Sequence, residues 1–354
     1  MSKFFSPKYD RLTPYLPGEQ PQDRKYIKLN TNESPFPPSP IAQRLSRQVA
    51  GDNNLYSDPE CRELVTVAAA KLGVSEDQIL FTNGSDEILN FAFMAFCDSQ
   101  TPAVFPDITY GFYPVFANVC GVPYQTVPLK DDFSINVDDY IGINKTIFIA
   151  NPNAPTGIAL PLEDIEKIVA SNKNNVVVID EAYVDFGGKS AISLIDKYDN
   201  LLVTQTFSKS RSLAGARLGF GVANKNLIND LKTVKYSTNP YNVNRCTMFA
   251  GMGALYDNDY FAENCQKIIQ TRELTAQKLK ELGFYVTDSK ANFLFAKSDK
   301  IDGLQLYSAL KEKGVLVRHF DTEKLADFNR ITIGSAEEMQ TFINVVTQIL
   351  EEVK

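Results

Sequence analysis

The sequence predicts an α/β protein with a large, mostly parallel sheet and a smaller α+β part. Between about residues 78 and 223, short apolar runs alternate with helical patterns, which is typical of βαβ units. Seven of these runs are strand candidates: QILF, AVF, YQTV, TIFIA, NVVVID, NLLVTQ and RLGFGV. After about residue 255 a long charged helix is followed by further strands and helices in turn. With 354 residues the chain exceeds the usual limit for one hydrophobic core, so we expect two domains.

Start and stop signals place the helices and the domain limits. One helix is expected over 85–98, where Ser-Asp-Glu follows Gly84, and another over 161–172, which opens with proline and acidic residues. In the second part we expect, in order, a helix through Lys280, FYVTDS, NFLFAK, a helix to Lys313, VLVRHF, RITIGS and a final helix ending at Lys354. The proline-rich first forty residues predict an extended arm rather than a packed element. The expected division is therefore 1–45 for the arm and part of the small domain, 46–255 for the large domain and 256–354 for the small domain.

Composition excludes several classes of function. The net charge of -7 and the pI near 5.0 argue against a nucleic-acid-binding surface, because phosphate backbones are bound by clustered Lys and Arg. The N-terminus lacks an apolar signal segment, and the longest apolar stretch, 88–97, is interrupted by Asn90 and too short to span a bilayer. We expect a cytoplasmic protein without a nucleic-acid or membrane partner.

Cysteine and histidine usage argues against a metal site. The five cysteines lie far apart without a C-x-x-C pair, which favours reduced thiols. The single histidine, His319, excludes a multi-histidine metal site and leaves a Ser-His-Asp hydrolase dependent on that one residue. We expect no bound metal and a structural role for His319.

Polar clusters follow four of the predicted strands. They are TNGSDE from Thr82, NPNAPTG from Asn151, DEAY from Asp180 and TFSK, which ends in Lys209. Ligands of open parallel sheets bind at the carboxyl ends of the strands, so these clusters are expected to meet in one crevice.

Three of these clusters point to a pyridoxal-5'-phosphate (PLP) enzyme. The helix start at 84–86 offers free backbone N–H groups that suit a phosphate, although it also suits an ordinary N-cap. Asp180 follows a buried strand and needs a cationic partner, either a protonated pyridine nitrogen or a structural arginine. Lys209 lies near Arg211 and Arg217, and burial with nearby positive charge lowers a lysine's pKa. Because the neutral amine attacks an aldehyde, Lys209 is predicted to be a Schiff-base lysine.

Ten segments carry a resemblance to a known family. In chain order they are LTPYLPGEQ, KLNTNESPF, LYSDPE, TNGSDE, PDITYGFYP, NPNAPTG, IDEAYVDF, TFSKSRSLAGARLGF, GVLVR and NRITIGS. With these segments the chain resembles the histidinol-phosphate aminotransferase family, in the PLP-dependent aspartate-aminotransferase superfamily of fold type I. The resemblance covers nearly the whole length.

The resemblance implies PLP as the cofactor and assigns roles by position. Lys209 would form the Schiff base and carry protons during catalysis, Asp180 would pair with the pyridine nitrogen, and Tyr183 would hydrogen-bond the ring hydroxyl. Tyr110 would stack on the ring. The cofactor phosphate would be held by Ser85, Asp86, Thr206, Ser208 and Arg217, together with Tyr56 of a second subunit. An active site shared between chains implies a homodimer.

On the substrate side, the resemblance implies that Arg318 and Arg330 bind an anion. Tyr15 would contact the substrate from the partner's arm, and Asn32 lies in the segment that lines the pocket. A guanidinium suits a phosphate monoester or a carboxylate, and the residues alone do not say which anion is bound.

One position departs from the superfamily pattern. The superfamily usually has asparagine immediately before Pro-Thr-Gly, where its amide donates to the ring hydroxyl of PLP, whereas this chain has Ala154. Either Asn153 or a water takes over this hydrogen bond, or Tyr183 acts alone. Asn153 therefore belongs to the predicted cofactor-binding residues.

The predicted activity is transamination between histidinol phosphate and 2-oxoglutarate, in histidine biosynthesis. An aromatic amino acid aminotransferase or a PLP-dependent decarboxylase of a phosphorylated amino acid would use Lys209, Asp180 and Tyr183 alike. The alternative from another class is a PLP-binding regulatory protein. The acidic charge and the absence of an additional N-terminal helical domain argue against it.

Overall fold

The computed structural model describes residues 2–10 and 12–353, which form thirteen strands and ten α-helices. The strands are β1 Ile27–Lys28, β2 Ile79–Thr82, β3 Ala103–Pro106, β4 Tyr124–Val127, β5 Thr146–Ala150, β6 Val177–Asp180, β7 Leu201–Thr206, β8 Gly219–Ala223, β9 Phe284–Val286, β10 Phe293–Ser298, β11 Val315–Leu316, β12 Arg318–His319 and β13 Phe328–Thr332. The helices are α1 Pro40–Gln48, α2 Arg62–Leu72, α3 Ser85–Phe96, α4 Tyr113–Cys120, α5 Leu162–Ser171, α6 Lys225–Thr238, α7 Arg245–Tyr256, α8 Asn258–Glu281, α9 Gly303–Glu312 and α10 Ala336–Glu352. None of these helices is both long and apolar enough to cross a membrane.

The largest sheet has seven strands in the order β2-β8-β7-β6-β5-β3-β4. All its pairings are parallel except those of β8, which is antiparallel to β2 and β7. Each predicted strand of the large part is present, and the α/β fold class is confirmed. The inner parallel strands are covered on both faces and read as largely apolar runs, which is why the sequence revealed them, whereas the edge strand β4 is exposed at three of its four residues.

Successive residues of the central strand β6 face opposite sides of the sheet. Val177 and Ile179 pack into the core beneath α2, α5 and α7, whereas Val178 packs into the core beneath α3, α4 and α6. The last residue of β6, Asp180, thus reaches the carboxyl edge between two apolar layers. Helices α3 and α5 match the predicted 85–98 and 161–172, with ends shifted by one or two residues.

A second sheet is antiparallel, in the order β12-β13-β10-β9. The prediction of one strand over VLVRHF was wrong, because the chain changes partners at Val317. Val315–Leu316 pairs in parallel with β1, while Arg318–His319 pairs with β13. The final helix α10 ends at Glu352, and the predicted end at Lys354 lies outside the described residues.

The extended-arm prediction for the first forty residues is wrong in part. Residues 12–26 have no helix or strand, but Leu29 is 1% exposed and its backbone bonds to Leu316 and Thr332. Residues 27–32 thus pack among the strands of the C-terminal part, β9 to β13. Through Leu29 they connect β11 with β13.

Helix α1 crosses α7 at close range. A Cβ atom added to Gly253 of α7 would lie 2.5 Å from Cα of Ala42 in α1. Because backbone atoms surround this position, the two helices cannot keep their separation if a side chain is added there.

We predict that Gly253→Ala lowers the free energy of unfolding by about 1–3 kcal/mol, the usual cost of overpacking a core. Urea unfolding followed by circular dichroism measures the change. Gly215→Ala is the matched control, because no atom lies within 4 Å of the added Cβ. Equal midpoints for the two variants would contradict the packing described for α1 and α7.

Candidate active site

The carboxyl ends of β5, β6 and β7 border one cavity of about 100 Å³. Its lining residues are Ser85, Asp86, Tyr110, Ala150, Pro152, Ala154, Asp180, Ala182, Tyr183, Thr206, Ser208, Lys209 and Arg217. The structure thus brings together nine of the predicted cofactor residues, which come from five separate segments.

One end of the cavity is suited to an anion. Helix α3 begins there at Ser85, and its first backbone N–H groups carry the positive end of the helix dipole. A Cβ atom on Gly219 would lie 2.3 Å from the Ser85 nitrogen, so the glycine allows β8 to approach the helix start. The Arg217 guanidinium is 3.4 Å from the Ser208 hydroxyl, which is 3.0 Å from that of Thr206.

Asp86 plays a different part from the other residues predicted around the phosphate. Its carboxylate lies 3.1 Å from Arg217 and accepts a 2.7 Å hydrogen bond from the Tyr110 hydroxyl. A carboxylate repels a phosphate, so Asp86 contributes by orienting the guanidinium and the phenol. Tyr110 itself lines the cavity, with its ring edge-on to Tyr113.

Asp180 is a buried carboxylate that forms no salt bridge with any described residue. It is 5% exposed and accepts hydrogen bonds from the Tyr113 hydroxyl at 3.1 Å and the Ala182 backbone at 3.2 Å. Burial raises the pKa of Asp180 to about 7. Within residues 2–10 and 12–353 no lysine or arginine forms a salt bridge with it, so the alternative of a structural arginine partner is not supported.

Lys209 lies in the turn after β7 and is half-buried in the cavity wall. Its Nζ donates a 3.3 Å hydrogen bond to the Thr31 carbonyl and lies 5.8 Å from the centre of the Tyr183 ring. Burial, together with the positive charge of Arg330, lowers the pKa of Lys209 to about 8. A substantial fraction of the amine is therefore neutral near neutral pH, the state needed for attack on an aldehyde.

Tyr183 follows β6 by three residues and forms another part of the cavity wall. Its hydroxyl accepts a 2.9 Å hydrogen bond from the side-chain amide of Asn32. Burial raises the pKa of Tyr183, and the charge of Arg330 and the hydrogen bond from Asn32 act in the opposite direction.

A neighbouring cleft holds the residues predicted to bind substrate, namely Tyr15, Asn32, Arg318 and Arg330, with Lys209 and Tyr183 shared between the two spaces. Arg330 donates to the Asn30 carbonyl at 3.0 Å, and its Nε has no hydrogen-bond partner among the described residues. Burial lowers the pKa of Arg330.

Tyr15 lies in the cleft of its own chain, whereas the sequence placed it in the partner's. Its ring centre is 4.5 Å from that of Phe112, and a Cβ atom added to Gly111 would lie 3.5 Å from its ring edge. Arg318 donates long hydrogen bonds to the backbone carbonyls of Leu16 and Pro17, which keeps this part of the arm over the cleft.

Two predicted cofactor residues lie away from the cavity. Tyr56 is 80% exposed and stacks on Tyr241 on the outside of the chain. Asn153 is buried, and its amide donates to the Ile108 carbonyl and the Thr156 hydroxyl while accepting from Thr109. Both amide hydrogens are used, so the prediction that Asn153 contacts the cofactor is not supported.

Sequence reasoning missed Tyr113 and Thr332. The Tyr113 hydroxyl donates to Asp180, and Thr332 bonds to both the backbone and the side chain of Asn32. Tyr113 lies only three residues after Tyr110, so the aromatic segment TYGFYP was the available signal. Thr332 gives no such signal, because its partner is 300 residues away in the sequence.

Comparison with known proteins assigns the family. The model of the family described as aminotransferase class I and II matches residues 24–346, so the chain belongs to this family of enzymes. It is 49% identical to the histidinol-phosphate aminotransferase of Brachyspira hyodysenteriae over 99% of this chain and 100% of that protein. It is 44% identical to the enzyme of the same name from Clostridium acetobutylicum, with the same coverage.

Solved structures agree on the fold. The histidinol-phosphate aminotransferase of Sinorhizobium meliloti, determined in complex with pyridoxal-5'-phosphate, has a TM-score of 0.88 at 24% identity and covers 100% of this chain and 99% of that one. A Thermus thermophilus aspartate aminotransferase gives 0.83 at 18% identity and covers 98% of this chain and 100% of that one. The predicted family resemblance, fold, aminotransferase class and PLP cofactor are thus confirmed.

The cavity fits PLP on its own chemistry. The anion cup beside Arg217 suits a phosphate, the buried carboxylate of Asp180 lacks a cation, and the amine of Lys209 has a lowered pKa. A protonated pyridine ring with a phosphate and an aldehyde supplies a partner for all three.

We predict that Asp180→Asn stabilises the cofactor-free protein in a pH-dependent way. The raised pKa means that the folded chain keeps a proton that the unfolded chain loses, so Asp180 costs stability as the pH rises from about 4 to about 7. The advantage of the variant should therefore grow by roughly 1–2 kcal/mol between about pH 5.5 and pH 8 in urea titrations.

With PLP bound the effect should reverse, since an uncharged asparagine side chain cannot pair with a pyridine cation and the variant should bind PLP more weakly. Burial also raises the pKa of the neighbouring Glu181 to about 7, but this residue is the same in both proteins, so its titration cancels from the comparison. A stability gap that stays constant with pH in the cofactor-free proteins would refute the uncompensated burial of Asp180.

Proposed function

We propose that the protein transfers an amino group between histidinol phosphate and 2-oxoglutarate, as a step of histidine biosynthesis. The names of the full-length relatives support this substrate pair. The observation that carries the proposal is the pair of arginines, Arg318 and Arg330, in the cleft next to Lys209.

These arginines lie directly opposite each other on β12 and β13. Like charges at directly opposite positions destabilise a sheet, and the Nε of Arg330 is also buried without a hydrogen-bond partner among the described residues. A dianionic phosphate or a carboxylate between them would offset both costs through bidentate hydrogen bonds. Histidinol phosphate and 2-oxoglutarate each carry such a group, so one pair of side chains serves both halves of the reaction.

Lys209 is positioned for proton transfer at the substrate α-carbon. Its Nζ lies where the cofactor cavity and the substrate cleft meet, and its lowered pKa allows it to accept and return a proton near neutral pH. PLP, when bound, supplies the electron sink that makes the α-proton acidic.

The remaining residues hold the reacting groups in place. Asp180 would keep the pyridine nitrogen protonated, the cup around Arg217 would hold the phosphate, and the Tyr110 ring would cover one face. Tyr183 would donate to the ring hydroxyl from the side next to Lys209.

The proposed assembly is a homodimer with shared sites. Tyr56 and Leu55 are strongly exposed apolar side chains, and Tyr56 does not line the cavity of its own chain. A second subunit would bury them and bring Tyr56 to the phosphate cup.

We also propose the domain division at about residues 45 and 255, and a cytoplasmic location, where the five free cysteines would stay reduced.

A substrate panel tests the reaction. With histidinol phosphate as donor, glutamate should form from 2-oxoglutarate, and kcat/KM should exceed that for phenylalanine by at least about tenfold, because a charge-assisted hydrogen bond contributes about 1.5–3 kcal/mol. Lys209→Ala should abolish turnover. Faster transfer from phenylalanine, or release of carbon dioxide from a phosphorylated amino acid, would replace the proposed substrate.

Subunit mixing tests the shared site. Lys209→Ala and Tyr56→Ala should each be nearly inactive as homodimers. After unfolding and refolding together, half the dimers are mixed and each contains one complete site, so about a quarter of the wild-type activity should return. If Tyr56 acts within its own chain, the mixture should show no more activity than the average of the two variants.

A further inference from the structure

The surroundings of the Tyr183 hydroxyl are polar on one side only. Its ring packs against Phe293 at 5.1 Å and belongs to the apolar group of Ala154, Ala291 and Phe293. Ala154 offers no hydrogen bond, and the amide of Asn153 is committed elsewhere. Within the described residues, Asn32 is the side chain that hydrogen-bonds the Tyr183 hydroxyl.

The orientation of the Asn32 amide is fixed from its other end. The Thr332 hydroxyl accepts from the Asn32 backbone N–H at 2.9 Å and therefore has its own proton available for the Asn32 Oδ1, 3.0 Å away. With Oδ1 facing Thr332, the NH₂ group must face Tyr183. The tyrosine oxygen is then an acceptor toward Asn32, so its single proton is free to point into the cavity.

The backbone of Asn32 is built to hold this side chain in place. Asn32 is 1% exposed and has φ 55°, in the left-handed region where asparagine is among the best tolerated residues after glycine. The amide of Asn292 donates to its carbonyl at 3.0 Å. The backbone N–H and the backbone carbonyl of Asn32 are therefore both held by hydrogen bonds, the first to Thr332 and the second from Asn292.

We propose that Asn32, oriented by Thr332, is the positioning residue that makes Tyr183 a hydrogen-bond donor to the ring hydroxyl of PLP. It would thereby strengthen the hydrogen bond from Tyr183, at a site where Ala154 supplies no amide of its own. The inference rests on the proposed role of Tyr183 and reassigns Asn32, which the sequence placed among the substrate-binding residues.

The role has a spectroscopic consequence. A hydrogen bond donated to an oxygen favours its anionic form, so a well-directed Tyr183 proton lowers the pKa at which the lysine-bound cofactor loses its proton. Polarisation by Asn32 strengthens that donor, because hydrogen bonds in a chain reinforce one another. Loss of either group should raise the pKa of the bound cofactor.

The experiment is a pH titration of the absorbance of the PLP-loaded protein. Tyr183→Phe should raise the pKa of the bound cofactor by about 1 unit, and Asn32→Gly should raise it by about 0.3 unit. Glycine is chosen because it accepts φ 55° without strain. In the double variant Asn32→Gly/Tyr183→Phe, the pKa should equal that of Tyr183→Phe alone, since Asn32 acts through the phenol.

Two further variants keep the test decisive. Thr332→Val should raise the pKa in the same direction as Asn32→Gly and serves if that variant does not fold. Asn30→Ala is the matched control, because Asn30 is also a buried asparagine of this segment and its amide donates to the Glu19 carbonyl, away from Tyr183. It should leave the pKa of the bound cofactor unchanged.

The outcomes separate the inference from the proposed function. An unchanged pKa in both Asn32→Gly and Thr332→Val, with a shift in Tyr183→Phe, would overturn the role of Asn32 alone. Additive shifts in the double variant would also overturn it. No shift in Tyr183→Phe would remove the proposed role of Tyr183, and the inference with it, whereas the substrate panel would still decide the reaction.

Discussion

The burial of Asp180 is the constraint on which the rest of the site depends. The central strand ends in a carboxylate enclosed between two apolar layers, and the described part of the chain gives it two hydrogen-bond donors but no cation. Desolvating a charge in this way costs several kcal/mol unless a partner compensates. A cationic ring bound at this edge compensates that cost, so cofactor affinity and the stability of the loaded protein have a common physical origin.

The two groups proposed to bind anions belong to different sheets. The cup around Arg217 is built by the seven-stranded sheet and α3, whereas Arg318 and Arg330 come from the antiparallel sheet. Lys209 lies where the cofactor cavity and the substrate cleft meet. In the wall of the cleft, Asp107, which follows β3 of the large sheet, forms an ion pair with Lys324, which lies between β12 and β13. The distance between cofactor phosphate and substrate anion is therefore set by how the two groups of elements are held together, not by any one loop.

The sequence was informative where one segment carries its own signal. The inner strands of the large sheet were predictable because a strand buried on both faces is largely apolar. Lys209, Asp180 and Arg217 were found because polar residues directly after such strands share one edge. The split of VLVRHF was not predictable, because it depends on pairing with Ile27–Lys28 almost 290 residues earlier. The hydrogen bonds of Asn153 with Thr109 and Ile108 were not predictable for the same reason, because they join segments that are distant in the sequence. The hydrogen bond between Thr332 and Asn32 is a further example.

The inserted stretch 27–32 sets an order of events during synthesis. Leu29 bonds to the backbone of Leu316 and Thr332, and Asn32 bonds to Thr332, so these hydrogen bonds cannot form until β13 has been made. The strands of the large sheet, together with Arg217 and Lys209, are synthesised well before β13. The hydrogen bonds by which Thr332 orients Asn32 beside Tyr183 therefore form later in synthesis than the strands that carry Asp180 and Lys209.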